Sequence, residues 1–266
     1  AHAIGPHALS QRLGAHDIPA ELVTLAQSFN RVLDRLEHAY RQLEAFNADV
    51  AHELRTPLLN LIGETEVALS RERATEELRD VLSSNLEELE RVKLIVNDML
   101  FLARADRGER ANTTSVALDQ VVHDVAEFLE PVFAERGITL ETVGRADVPG
   151  DVGLLRRALT NLLSNALAYT PSGGTIRIEI ALEHDVVRLS VRNPGPTIEP
   201  KHLPHIFDRF YRADAARSAR PHGHGLGLAI VKAIVDMHRG TVFAASGDGM
   251  TEIGFRLPGS AEDSNN

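Results

Sequence analysis

Residues 49–60, DVAHELRTPLLN, set His52 and Glu53 side by side, with Thr56 and Pro57 about one turn later. The flanking apolar spacing makes this stretch a helix. At about 100° per residue His52 lies about 200° around it from both Val50 and Leu54, so the imidazole points away from the apolar stripe and into water. Two readings follow. The residue is a solvated surface histidine, or it is a neutral nucleophile whose other nitrogen gives its proton to the Glu53 carboxylate. A zinc-protease reading fails, because H-E-x-x-H needs a second histidine where Thr56 stands. Pro57 removes a backbone donor and crowds the carbonyl four residues back, which predicts a bend or soft point under the histidine.

Further along, NLLSNALAYT carries Asn161 and Asn165 four apart, on one helical face. Asparagine is mildly unfavourable inside a helix. The pair is either two solvated amides or a set of oxygen ligands for Mg²⁺, a hard cation that usually arrives with nucleotide phosphates. NPGPTI (193–198) and GHGLGLAI (223–230) supply glycines; Gly223, Gly225 and Gly227 precede an apolar helix whose free N–H groups can hold phosphate. The spacing is not that of a P-loop, and a polar loop rather than a strand precedes it, which disfavours a dinucleotide fingerprint. A flexible lid hinge is the other reading, and both can hold at once. HIFDRFYRAD (205–214) sets Phe207, Phe210 and Tyr211 among Arg209 and Arg212. Aromatics there anchor a loop, and arginines beside a phosphate cradle stabilise charge on a transferring phosphoryl group.

The elements that must carry these groups are legible in outline. Residues 1–18 read as a connector. Leu22, Leu25, Phe29, Val32, Leu36, Ala39, Leu43, Phe46 and Val50 alternate by three and four, a heptad seam. Val50, Leu54 and Leu58 then step by four and four, a stutter centred on the stretch 49–60 that carries His52. After the turn at SRERATEE a second seam runs through Leu78, Leu82, Asn85, Leu89, Val92, Val96, Met99 and Ala103. Two such helices form an antiparallel hairpin that buries one stripe, so pairing of two copies into a four-helix bundle completes it. Asn85 on the seam is a candidate for fixing register. ADRGERANTTS is a linker. Beyond Ser115 the order is strand (SVAL), helix (118–137), strand (ITLETV), a helix capped by Asp151, paired strands, a long loop over 194–222, the helix GLGLAIVKAIVDMH and a closing hairpin. This succession predicts a two-layer α+β sandwich, with a disordered tail.

Composition narrows the function. The chain has 266 residues, net charge −10, no cysteine, no tryptophan and 5% aromatics. An acidic chain without a basic stripe argues against nucleic acid as a partner. Without cysteine there are no disulfides or thiolate zinc sites. No run reaches the roughly 18 apolar residues that cross a bilayer.

In this order the motifs resemble those of a bacterial sensor histidine kinase of two-component systems. FNADVAHELRTPL resembles the H-box, LTNLLSNALAYT the N-box, NPGPTI the G1 box, IFDRFYR the F-box and GHGLGLAI the G2 box, while ELVTLAQSFNRVLDRLE is similar to the second helix of a HAMP relay. ADVAHELRTPL and NPG look most like the heavy-metal-responsive, copper or silver type, branch. The resemblance implies a partial HAMP connector and relay helix over 1–42, a dimerising phosphotransfer hairpin over 43–106 and a linker over 107–114. A catalytic ATP-binding domain of the kinase, gyrase and chaperone type then spans 115–258, with a tail over 259–266. It implies that His52 accepts the γ-phosphoryl group of ATP with Glu53 as base, and that Thr56 orients water for dephosphorylation of the partner. Asn165, helped by Asn161, would hold Mg²⁺. Asn193, Gly195 and Tyr169 would bound the adenine pocket; Gly223, Gly225, Gly227 and Leu228 would form the phosphate end, with Arg212 approaching the γ-phosphate. The implied partners are a second copy and a response-regulator receiver domain. The implied location is the cytoplasmic side of an inner membrane, attached only through segments that this chain does not contain.

Departures from the family pattern carry their own expectations. Asn193 stands where the family has an aspartate, an uncharged acceptor that implies weaker ATP binding. Thr197 replaces the second G1 glycine and stiffens the start of the lid, and Ala168 replaces a basic residue that often precedes the tyrosine. A degenerate kinase acting as a scaffold is therefore the rival reading. A gyrase-type ATPase is a third, though it has no use for HELRTP on a coiled-coil helix.

Overall fold

The computed structural model describes residues 20–213 and 224–259. The chain divides into two compact units, Ala1–Leu89 and Glu90–Asn266.

In the first unit, helix α1 (Ala20–Leu69) runs unbroken through Pro57, and α2 (Thr75–Ala105) begins after a short polar turn. Arg73 closes that turn by donating to the Val67 carbonyl at 3.0 Å, and Glu76 and Glu77 sit favourably in the first turn of α2. Asn85 Nδ2 donates to Thr65 Oγ1 at 3.1 Å. That bond crosses the hairpin and pins its register, which is the part the seam asparagine was expected to play. Its Oδ1 is buried with no hydrogen-bond partner among the described residues. Seam residues on both helices lie open: Leu25 is 66% exposed and Leu82 67%, with Phe29, Val32 and Leu36 similarly uncovered. So long an apolar stripe left in water is the mark of an interaction surface.

The second unit holds the rest of α2 and the sandwich. Its elements are β1 (Thr114–Ala117), α3 (Leu118–Glu135), β2 (Thr139–Val143), β3 (Asp147–Gly150), α4 (Val152–Tyr169), β4 (Thr175–Glu183), β5 (Val186–Pro194), a short 3₁₀ turn (Leu203–His205), α5 (Gly227–Met237), β6 (Thr241–Gly247) and β7 (Met250–Pro258). Strands in the order β2-β4-β5-β7-β6 make one sheet; β2 runs parallel to β4 and the other pairs are antiparallel. Strand alternation points Ile176, Ile178, Ile180, Val187, Leu189, Val191, Ile253, Phe255 and Leu257 inward, all buried. Against them lie the apolar faces of α3, α4 and α5, whose Leu155, Leu159, Leu163, Ile230 and Ile234 are fully buried. The opposite face carries Arg177, Arg188, Glu252 and Arg256, and Phe243 lies between the guanidinium groups of Arg188 and Arg256. This is the expected two-layer architecture.

The sequence reading missed β3. DVPG has no alternation to show; it is held by antiparallel pairing with β1, with Ala117 opposite Asp147. Pairing with a distant strand, not local propensity, makes it a strand.

Candidate functional site

His52 stands exposed on α1, as its angular position predicts, with Glu53 half-buried beside it. Thr56 is exposed, and its hydroxyl lies 3.5 Å from the His52 carbonyl one turn back. Pro57 is buried within the continuous helix. Having no N–H, it leaves the Glu53 carbonyl without its usual helical partner, so the backbone bonding of α1 is weakest directly behind the histidine.

Most of the remaining candidates lie on the C-terminal half of α4 or on segments that touch it. Asp151 caps that helix by accepting from the Leu154 N–H at 2.9 Å. The residues that follow bury Leu155, Leu159, Leu162 and Leu163 and leave the two asparagines on the half-buried side. Asn161 Nδ2 donates to the Arg157 carbonyl at 2.9 Å, which aims Oδ1 at the start of α5: a Cβ on Gly227 would lie 3.0 Å from that oxygen. The Asn165 amide makes no hydrogen bond to a described residue. One turn on, Tyr169 is 38% exposed.

Asn193 arrives beside the end of α4 on β5 and is 4% exposed, one of few polar side chains in the core. Its Nδ2 donates to the Pro194 carbonyl at 3.0 Å, which leaves Oδ1 as the available acceptor. Gly195 follows; a Cβ there would sit 2.8 Å from the Tyr169 carbonyl, so only glycine lets the two backbones approach. Its N–H bonds the Gly249 carbonyl at 2.9 Å, tying this strand end to the β6–β7 turn, where Thr197 Oγ1 also accepts from the Gly249 N–H.

The glycine loop closes the group. Gly225 takes φ +69°, and a Cβ would fall 2.6 Å from the Phe210 carbonyl carbon. Phe210, itself at φ +58°, donates its N–H to the Gly225 carbonyl at 2.9 Å. The aromatic loop and the glycine loop are thus clasped backbone to backbone, a contact that spacing alone did not reveal. Leu226 is buried, Gly227 is the first residue of α5 rather than a residue ahead of it, and Leu228 is half-buried. Arg212 is half-buried, and Gly223 lies outside the described residues. Tyr211 is held by its hydroxyl, 2.6 Å from His202 Nδ1.

Charged contacts within the second unit join the end of α2 to this group. Arg157 reaches Asp98 at 2.5 Å and lies over the Phe101 ring, Arg209 reaches Asp106 at 2.6 Å, and Arg91 Nε donates to His224 Nε2 at 2.7 Å. Burial raises the Asp98 carboxyl above its ordinary value, an effect that the Arg157 hydrogen bond and charge offset only in part. No sequence pattern pointed to Asp98, which reads as an ordinary polar position of a heptad.

This geometry can take a nucleotide: a buried amide acceptor at Asn193, glycines at 195 and 225 that bring backbone close to Tyr169 and Phe210, a helix start at Gly227, and an Asn165 amide that makes no hydrogen bond among the described residues. Among the described residues no cluster of three or more histidine, aspartate or glutamate side chains could hold a metal by itself, and no helix is long and apolar enough to cross a membrane. Residues 42–108 match the His Kinase A (phospho-acceptor) domain family, and residues 150–261 match the family described as histidine kinase-, DNA gyrase B- and HSP90-like ATPase. Sensor histidine kinase CusS of Escherichia coli strain K12 is 47% identical over 252 residues, 94% of this chain and 52% of CusS. Sensor protein CopS of Pseudomonas syringae pv. tomato is 44% identical over 210 residues, 79% of this chain and 43% of CopS. The chain thus spans about half the length of the curated relatives it matches. The crystal structure of histidine kinase ThkA in complex with response regulator protein TrrA aligns with TM-score 0.68 and 25% identity, over 93% of this chain and 69% of that one. A phospho-acceptor helix followed by an ATP-using sandwich, with relatives of this kind across both, makes the chain a member of the sensor histidine kinase family.

Proposed function

We propose that this chain is the kinase region of a membrane-bound heavy-metal sensor, and that it phosphorylates its own His52 from ATP. The observation that carries the reading is the line of Asn161, Asn165 and Tyr169 along the C-terminal half of α4, with Gly227 against Asn161 and Gly195 against the Tyr169 carbonyl and Asn193, while a solvent-facing imidazole waits on α1. Asn193 Oδ1 accepts from the adenine amino group, and Tyr169 and Gly195 bound the base. Gly225, Gly227 and Leu228 present backbone to the phosphates, with Arg212, and Gly223 from the sequence pattern, completing that end. Asn165 and Asn161 would hold Mg²⁺ through their amide oxygens, and the ion would supply positive charge against the nucleotide phosphates. In the transfer, a His52 ring nitrogen forms the N–P bond as the bond from γ-phosphorus to the bridging oxygen breaks. ADP leaves, and Glu53 takes the proton from the other ring nitrogen.

The uncovered stripes on α1 and α2 support a homodimer. The phosphoryl group then passes to an aspartate on a separate receiver domain, and Thr56 orients water for the reverse, dephosphorylating step. Resemblance to the copper- and silver-type branch supports the heavy-metal signal and a place at the cytoplasmic face of the inner membrane. Incubation with γ-labelled ATP and Mg²⁺ tests the reading: wild type should gain acid-labile label and His52→Ala none. ATP binding without label on wild type would favour the scaffold reading. ATP hydrolysis unaffected by His52→Ala would favour the gyrase-type one.

A further inference from the structure

A buried histidine of the second unit has no place in that chemistry. His238 follows the last residue of α5 and is 5% exposed. Both ring nitrogens are committed to backbone: Nδ1 donates to the Ile234 carbonyl at 2.7 Å, and Nε2 accepts from the Asp151 N–H at 3.0 Å. The first bond stays within α5. The second crosses to the cap of α4. A Cβ on Gly150 would lie 3.2 Å from the ring and 2.7 Å from Leu155 Cδ1, so the imidazole is seated where the preceding strand carries no side chain.

The Asp151 N–H needs an acceptor from outside its helix. In a capping box the residue three past the cap reaches back to bond that N–H, but here the position is Leu154, which has no acceptor. The imidazole of another helix makes the bond instead. At the far end of the same pair, Gly227 of α5 packs against Asn161 Oδ1 of α4. The helices therefore run antiparallel, tied at Asp151–His238 and in contact at Asn161–Gly227, about 15 Å further along α4 at 1.5 Å per residue. Leucine faces of α4 and aliphatic faces of α5 are non-directional and do not by themselves choose one axial offset. A directional bond at one end does.

We propose that His238 is a positioning residue that sets the register of α5 along α4, and so the placement of Gly225 and Gly227 opposite Asn161 and Asn165. The proposal rests on the nucleotide-site reading above. Glutamine and asparagine separate the two bonds: His238→Gln can present Oε1 near the place of Nε2 and keep the tie to Asp151, whereas His238→Asn can only replace the Nδ1 donor to Ile234. A merely structural role is removed by adding Leu154→Glu, which gives the Asp151 N–H an acceptor inside α4 without restoring the tie to α5.

The measurements on the full chain are ATP affinity, thermal midpoint and amide exchange at Ile230, whose N–H donates to the Leu226 carbonyl at 2.9 Å at the start of α5. One lost buried bond is worth about tenfold. His238→Asn should weaken ATP binding and speed that exchange by about this factor, His238→Gln should stay within about threefold of wild type, and His238→Asn with Leu154→Glu should regain midpoint but not ATP affinity. The inference is overturned if glutamine performs no better than asparagine, or if Leu154→Glu restores affinity together with midpoint. Exchange that follows the predicted order in a protein that binds no ATP at all would uphold the register role and refute the nucleotide-site reading, so the two failures are distinguishable.

Discussion

Gly225→Ala tests the clasp between the glycine and aromatic loops. The alanine would have to hold φ near +69°, a left-handed conformation that costs an L-residue about 1–2 kcal/mol. Its Cβ would also stand 2.6–2.9 Å from the carbonyl carbon, Cα and oxygen of Phe210, all backbone, so the loops must part. Parting breaks the Phe210 N–H to Gly225 carbonyl bond of 2.9 Å, worth about 1 kcal/mol. Together these amount to about 2–3 kcal/mol against the described conformation. None of it touches the buried faces of α4, α5 or the sheet, so the loss should appear in ligand binding and not as unfolding. We expect ATP affinity, measured by titration calorimetry with Mg²⁺, to fall about 30- to 150-fold, with a cooperative melt retained. Gly63→Ala is the control: it meets open space in the interior of α1, and should raise stability by about 0.5–1 kcal/mol and leave ATP affinity alone. Affinity within about threefold of wild type for Gly225→Ala would refute the argument, because the clasp would then not govern the site.

Other outcomes follow from particular contacts. Asn193→Asp gives the adenine acceptor a charge, and ATP should bind about tenfold more tightly in the same titration; unchanged or weaker binding would mean that the lost Nδ2 bond to Pro194 outweighs the gain. Pro57→Ala supplies the N–H that the Glu53 carbonyl lacks, with about 3 kcal/mol as the upper bound on helix stabilisation. The ratio of kinase to phosphatase rates should move more than stability does, and two unchanged rates would count against a soft point at the proline. Burial holds the Asp98 carboxyl above its ordinary value, so the folded state binds the proton more readily than the unfolded state. Its contribution to stability therefore falls as pH rises through that window, from the ordinary value of 3.8 upward. Asp98→Asn should flatten this slope in thermal melts taken across pH, and a slope of the opposite sign would show that the Arg157 pairing, not burial, dominates.

The sequence by itself determined the long helices, the stutter at His52, the capped helix at Asp151 and the amphipathic sandwich elements, because each rests on a local period or a local backbone demand. It also placed the chemistry-bearing residues in order, since His52, Asn165, Asn193 and the glycines stand in recognisable strings. What it did not contain were facts about neighbours distant in the chain. Strand β3 exists because β1 pairs with it. The orientation of the Asn193 amide depends on the Pro194 carbonyl, and the need for glycine at 225 on the backbone of Phe210. Asp98 and His238 look ordinary in the string; one becomes a half-buried carboxyl against Arg157 and the other a cap for a helix it does not belong to. Periodicity states which face of an element is apolar. Only folding decides which backbone group that face will meet, because hydrogen bonds and close approaches are set by distances between residues far apart along the chain.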